Sequence, residues 1–324
     1  MKPKLLVLAS TFPGTLGDGT PAFVLDLAWQ QAKRFDVTVL TPMVRGAKAT
    51  EDIRSADGQT SVRVVRYRYF PSRWEDLADG AILDNLKAKK SRFLQVPFLA
   101  HFLFYGIRRQ VRLLKPAAIH AHWVIPQGLL ATLAAPSVPL LVTTHGGDIY
   151  ALNSRPVLAL KRWVFGRAKA ITTVNSQMRA RLVEWGQPIH KISLLPMGVD
   201  TASVGQLAAK TTKVPGQLLV VGRLVEKKGI EYLFEALQIL QHRDISLGKL
   251  IVIGDGPIRA QLEGKATGLA VEFRGQQGRD QVLASIAQSE VMLIPSVTAA
   301  NGDQEGLPVT LLEGGAGGIC VIAS

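Results

Sequence analysis

Cysteine is almost absent: Cys320 is the single one in 324 residues, so a disulfide framework within the chain is excluded. That scarcity fits a reducing compartment. Long hydrophobic runs are absent as well. Residues 93–107 form the longest compact candidate, but Gln95, Pro97 and His101 interrupt it and it falls short of the ~20 residues a spanning helix needs. Residues 117–144 are broken by Pro126, Pro136 and Pro139. The basic start with its apolar residues 5–9 superficially resembles a signal peptide, yet the apolar run is too short and turn residues follow at once, so it reads as a buried first strand. Carboxylates are the scarcer charge, 25 Asp and Glu against 38 Lys and Arg, a formal net charge of +13. Such an excess points to an anionic partner: nucleic acid, a phosphorylated ligand or an acidic membrane. No spacing matches a zinc motif, and the GxxxxGK[ST] pattern of a P-loop is missing.

What is present is apolar residue in plenty, 47% of the chain, which excludes intrinsic disorder. At roughly 100–200 residues per domain the length suggests about two domains. Short apolar runs at 4–9, 36–41, 61–66, 117–121, 140–144, 170–174 and 191–195 read as strands buried on both faces. Helical patterns at 20–34, 84–114, 127–133 and 176–185 separate many of them, the signature of a doubly wound α/β domain. Residues 201–216 lack strong periodicity and hold the boundary between a domain of residues 1–203 and one of residues 204–324. Alternation then resumes, with strands at 217–222, 249–253, 271–273, 291–295 and 319–323 and helices at 228–241, 257–264, 280–287 and 308–314.

Ligands of open α/β sheets bind beyond the carboxyl ends of the strands, so the strand-to-helix turns carry the candidates. The first holds Gly17 and Gly19, followed by Ala22, a relaxed GxGxxA. It is a weak dinucleotide signature, because no acidic residue ends the second strand. Thr144-His145-Gly146-Gly147-Asp148 suits sugar hydroxyls or a phosphate, or is a turn whose histidine caps a helix. His120 and His122 end another strand, and Asp148 joins them as a remote metal set. Gly222-Arg223, with Lys228 before a helix, is a plausible diphosphate cradle. A helix N-terminus supplies amides, Arg a fork and Lys a point charge. Gly254-Asp255-Gly256-Pro257 reads equally as a tight turn or a ligand contact. Glu305 and Glu313 flank the start of the helix after Pro308, where two carboxylates can accept from several hydroxyls, or serve only helix polarity and solvation.

Taken in order, these loops resemble glycosyltransferase family 4, retaining enzymes of the GT-B fold. The carrying stretches are Gly17-Asp-Gly19-Thr-Pro-Ala-Phe-Val, His120-Ala-His122-Trp, Thr144-His145-Gly-Gly-Asp148, Met197-Gly-Val-Asp200, Gly222-Arg223-Leu-Val-Glu-Lys-Lys228-Gly, Gly254-Asp-Gly-Pro257 and Glu305 with Glu313 after seven intervening residues. The resemblance implies two Rossmann-like, parallel-sheet domains facing across a cleft, the second binding a nucleotide sugar and the first an acceptor. It implies that Arg223 and Lys228 hold the donor diphosphate, that Glu313 binds the ribose and that Glu305 contacts the donor sugar. His145 would touch that sugar from the other domain, and Gly17 and Gly19 would approach phosphate and acceptor. His145 and Glu305 are thus the catalytic candidates. Asp148, Gly254 and Asp255 are secondary ones. No metal or other cofactor is expected, and the favoured mechanism is front-face attack. Family members usually continue past the strand at 319–323, so an incomplete second domain and a C-terminally truncated reading frame are expected here. Glu313 is also followed by Gly-Gly-Ala-Gly-Gly, richer in glycine than is common.

Within residues 61–116 there are 12 Lys and Arg against 4 Asp and Glu, interleaved with Trp74, Phe93, Phe98, Phe102 and Tyr105 among other aromatics. Cations with aromatics hold a protein to an anionic bilayer without spanning it, while the ordinary alternative is a solvated basic face over a core helix. RNA binding ranks below both, because no RNA-binding motif accompanies the charge. The expectation is a transferase moving a hexose from a nucleotide diphosphate sugar to a lipid-linked or polysaccharide-precursor acceptor, cytoplasmic and peripheral at the inner face of the membrane. Its rivals are an inactive fragment that only binds nucleotide and a UDP-sugar epimerase of the same fold. Lys228 with paired Glu305 and Glu313 favours transfer over epimerisation.

Overall fold

The computed structural model describes every residue except Met1, residues 16–19, Pro21, Ala56, Ala81, Ser246 and Asn301, and leaves the side chains of Leu83 and Asp84 undescribed. The chain forms two compact units that part between Pro196 and Met197.

The first unit runs β1 (Lys4–Leu8), α1 (Phe23–Ala32), β2 (Asp36–Pro42), β3 (Thr50–Arg54), β4 (Ser61–Tyr67), α2 (Ile82–Ala88), α3 (Val96–Leu114), β5 (Ala118–His122), α4 (Leu129–Ala134), β6 (Leu140–Thr143), α5 (Gly147–Tyr150), α6 (Arg155–Arg167), β7 (Ala170–Thr173), α7 (Ser176–Glu184) and β8 (Ile192–Leu194). Its strands pair in the order β3-β4-β2-β1-β5-β6-β7-β8. All pairs are parallel except β3 with β4. The central strands are apolar along their length because helices cover both faces: Leu5, Leu6, Val7 and Leu8 of β1 are all buried. Buried Val24, Leu25, Ala28 and Ala32 of α1 pack on one side with Val37, Val39 and Val64. On α3, Leu99, Leu103, Ile107 and Gln110 turn inward at helical spacing.

The second unit begins with α8 (Thr201–Lys210), then β9 (Leu218–Val221), α9 (Ile230–His242), β10 (Leu250–Ile253), α10 (Arg259–Lys265), β11 (Val271–Gly275), α11 (Arg279–Gln288), β12 (Val291–Ile294), α12 (Val309–Ala316) and β13 (Cys320–Ala323). Its strands lie in the order β11-β10-β9-β12-β13, all parallel. One apolar cluster, with Leu233, Phe234 and Leu262, covers one face. A second, with Ile286, Met292 and Ile319, covers the other. Each unit is thus a doubly wound α/β layer structure.

Several elements differ from the sequence expectation. Residues 84–114 do not form one helix: α2 ends at Ala88, a 3-10 turn spans Lys90–Gln95, and α3 restarts with Pro97 in its first turn. The break is held by Gln95, which turns inward, accepts from the Leu77 amide at 3.2 Å and donates to the Trp74 carbonyl at 2.9 Å. Arg92 donates to Asp76 at 2.8 Å beside it. Residues 201–216, which lack a clear period, contain α8, capped by Asp200 accepting from the Ser203 amide at 3.1 Å. The glycines after Glu313 have a packing reason at Gly314. A Cβ there would come within 2.9 Å of Met292 Sδ and 3.0 Å of Val321, so glycine lets α12 lie close against β12 and β13.

Candidate functional site

The chemistry-bearing side chains gather at the carboxyl ends of parallel strands, at one place in each unit.

In the first unit His120 and His122 end β5, and His145 follows β6. The register sets His122 opposite Thr143, and thereby brings His145 within reach of it. His122 Nδ1 and His145 Nε2 share a hydrogen bond at 2.9 Å, with the rings 15° from parallel. Gln31 Nε2 donates to His120 Nδ1 at 2.8 Å, which leaves the proton on Nε2 to be donated to Thr143 Oγ1 at 2.7 Å. Burial pushes His120 down to about 4, and His122 and His145 also lie well below the usual imidazole range, first through burial and then through their histidine neighbours. The cluster is therefore neutral near pH 7. Phe23 and Trp123 flank His145, ring centroids 5.1 and 4.8 Å away.

Asp148 is buried beneath this turn. Its oxygens accept from the backbone amides of Val124 and His145, each at 2.8 Å. Burial raises its carboxyl to about 6 against those two bonds and the Lys161 charge. Lys161, itself buried, donates to the carbonyls of Asp148 and Ala151 at 2.8 and 2.6 Å and to Asn153 Oδ1 at 3.0 Å. Desolvation pushes this ammonium down to about 8. Asp148 thus fixes the backbone of the His145 turn. Among the described residues no group of three or more His, Cys, Asp or Glu side chains is arranged to hold a metal ion.

In the second unit β9 leads through Gly222 and Arg223 into a 3-10 turn, Glu226–Lys228, and then α9. Gly229 has φ +60°, and a Cβ there would collide with the Pro295 carbonyl. Gly254 has φ +139°, and a Cβ there would collide with the Gly222 carbonyl. The loops after β9, β10 and β12 therefore meet backbone against backbone, and glycine is what permits it. Lys228 Nζ lies 3.2 Å from Glu305 Oε1, and Lys227 Nζ 3.2 Å from Asp303 Oδ2 and 3.6 Å from Glu305 Oε1. Glu226 accepts from the Ala300 amide at 2.7 Å, stitching the two loops together. Lys228, Gly222, Pro295 and Ser296 line a small hollow at the strand ends.

Arg223 is solvent-exposed beside this hollow's loop. Asp255 is occupied by its own turn, accepting from the Gly256 amide at 2.7 Å and from Arg259 Nη1 at 3.1 Å. Glu313, in α12, is buried, with Arg279 Nε 4.0 Å from its Oε1. The structure thus joins Lys228 with Glu305 and keeps Gly254 against Gly222. Gly17 and Gly19 lie outside the described residues. Sequence reasoning assigned no role to Lys227, Glu226 or Asp303; the signal was the Glu226-Lys227-Lys228-Gly229 run itself, with charges flanking the lysine singled out. For His122 the sequence offers a place in the His120-Ala-His122-Trp stretch and a remote metal set, and its bond to His145 is not foreseen.

Residues 17–203 match the family model described as Glycosyltransferase Family 4, and residues 215–324 match Glycosyl transferases group 1. The putative colanic acid biosynthesis glycosyltransferase WcaL of Salmonella typhimurium is 29% identical over 262 residues, covering 78% of this chain and 59% of that protein. The chain thus spans less than two thirds of that relative's length. A GDP-mannose-dependent alpha-(1-6)-phosphatidylinositol monomannoside mannosyltransferase of Mycobacterium tuberculosis is 28% identical, covering 99% of this chain and 80% of that protein. Among solved structures, Anabaena HepE in complex with UDP-glucose is similar in fold, with a TM-score of 0.63 at 16% identity over 99% of this chain and 80% of that one. The fold is GT-B-like, and the chain belongs to glycosyltransferase family 4.

Proposed function

We propose that the chain transfers a hexose from a nucleoside diphosphate sugar, with retention of configuration, to a polysaccharide-precursor or lipid-linked acceptor at the inner face of the cell membrane. The carrying observation is the Lys228–Glu305 pair at the strand ends of the second unit, set beside a backbone cradle made by Gly222, Gly229 and Gly254. A diphosphate is the stronger partner for that ammonium, so it displaces Glu305 and frees the carboxylate to accept from a sugar hydroxyl. Arg223 adds a forked contact to the diphosphate, and Glu313 accepts from the ribose. His145, neutral and bonded to His122, contacts the donor sugar. In the reaction the acceptor oxygen forms a bond to the anomeric carbon while the bond from that carbon to the diphosphate breaks. The acceptor proton passes to the departing phosphate oxygen on the same face. Lys228 and Arg223, rather than a metal, neutralise the charge that develops there.

Two relatives support the acceptor class: one is named for colanic acid biosynthesis and one for a phosphatidylinositol monomannoside. GDP-mannose in one name and UDP-glucose in one complex support a nucleotide-sugar donor without fixing its base. The test is calorimetric titration of UDP and GDP into the full chain and its variants, followed by a panel of UDP- and GDP-sugars. Arg223→Ala and Lys228→Ala are each expected to weaken nucleoside diphosphate binding about tenfold, near 1.4 kcal/mol. Wild-type affinity in both variants, or no binding of either nucleotide by the parent chain, overturns the assignment.

A further inference from the structure

The outward face of α3 carries aromatic side chains where a surface helix ordinarily carries polar ones. Phe98, Phe102, Tyr105, Arg109 and Arg112 fall within an arc of about 80° at ~100° per residue. Phe93 and Leu94 lie in the turn directly before α3, and the Trp74 backbone is held beside that turn by its carbonyl accepting from Gln95. These six apolar side chains, Trp74, Phe93, Leu94, Phe98, Phe102 and Tyr105, are between 43% and 69% exposed. Large apolar side chains exposed together on one helix face and the turn before it mark an interaction site.

Cations dominate the sequence from α2 through α3. From Asn85 to Gly147 the sequence holds eight Lys and Arg and not one Asp or Glu. Lys87, Lys89, Lys90, Arg108, Arg109 and Arg112 are all exposed. Arg73 stacks on the Trp74 ring at 3.8 Å, and Arg108 lies 5.7 Å over Phe104. Glu75 and Asp76, which follow Trp74, are already paired with Arg68 and Arg92. Among the described residues no helix is long and apolar enough to cross a membrane.

We propose that this face of the first unit docks flat on an anionic lipid bilayer, the aromatic side chains entering the acyl boundary and the cations contacting lipid phosphates. An aromatic face accompanied by exposed cations complements that surface on both counts. A protein partner would need carboxylates of its own to match these cations, whereas an anionic bilayer supplies phosphates together with the wet edge that indole and phenol favour. The proposal names the surface that places the enzyme at its acceptor, and to that extent rests on the function proposed above; its test does not.

Flotation of the full chain with vesicles of phosphatidylcholine alone, and of phosphatidylcholine with about one third phosphatidylglycerol, reads the interaction directly. Binding is expected only to the anionic vesicles. Phe98→Ser with Phe102→Ser, and separately Arg108→Gln with Arg109→Gln and Arg112→Gln, should each weaken it about tenfold. Far-UV circular dichroism and the thermal unfolding midpoint of the same variants, unchanged from the parent, certify their folding whether or not the chain binds a nucleotide. Equal partitioning to neutral and anionic vesicles overturns the proposal. So does undiminished vesicle binding in both variants, or a parent chain that ignores vesicles but self-associates through this face.

Discussion

Gly254 shows how little room a single position leaves. Its φ of +139° is a conformation side chains rarely adopt, and its missing Cβ is what admits the Gly222 carbonyl. Alanine there meets both penalties at once, strain and collision. Gly254→Ala should lower stability by about 1–3 kcal/mol, read as a reduced midpoint in urea unfolding. Gly264→Ala is the control: nothing lies within 4 Å of a Cβ at that helical glycine, so its midpoint should hold or rise.

At the level of elements, the ends of β5 and β6 form a pH-sensitive assembly. The three histidines have folded values depressed below their unfolded one near 6.5. Unfolding therefore takes up protons below that value, and their contribution to stability is present above about pH 6.5 and is lost as pH falls. For His120 the loss runs down toward its folded value of about 4. Asp148 has the opposite sign: raised to about 6, it stabilises below its unfolded value and loses that contribution as pH rises. Histidines outnumber the carboxylate, so the melting temperature should fall as pH drops from 7 to about 4.5. His120→Asn should flatten that fall, by up to about 1.4 kcal/mol per pH unit. An unchanged pH slope in a scanning calorimeter would remove His120 from this account.

The same elements show what a sequence reveals. The central strands were legible because burial on both faces leaves unbroken apolar runs, and each expected strand is present to within a few residues. Three elements were hidden for separate physical reasons. In α6 the core-facing position Lys161 is buried as a charged residue, so the apolar period is masked. In α8 only Val204 is buried, too little to set a period. In β3 only Ile53 is buried, as expected of an edge strand otherwise made of Thr, Glu, Asp and Arg. Of the site, strand-end loops were readable from α/β topology, and their order carried the family. The His122–His145 bond was not, since it joins residues 23 apart through strand register.

For the whole molecule, the two units carry different chemistry. The cations and carboxylates assigned to the nucleotide belong to the second unit, and the histidine cluster belongs to the first. If nucleotide binding rests chiefly on the second, saturating UDP or GDP should slow amide hydrogen exchange in residues 222–229 and 303–313. The helices α1 and α6 of the first unit should keep their rates. Protection confined to the first unit would reverse the assignment of donor and acceptor sides.

Parallel strands have a consequence for the experimenter. Every strand of the second sheet, and all but one pairing of the first, runs the same way, so the groups discussed here crowd one rim of each sheet. Ser137, exposed in the turn that leads into β6, is separated from the His145 end by a four-residue strand, about 13 Å at ~3.3 Å per residue. A dye or surface tether placed there sits behind the His145 turn rather than on it.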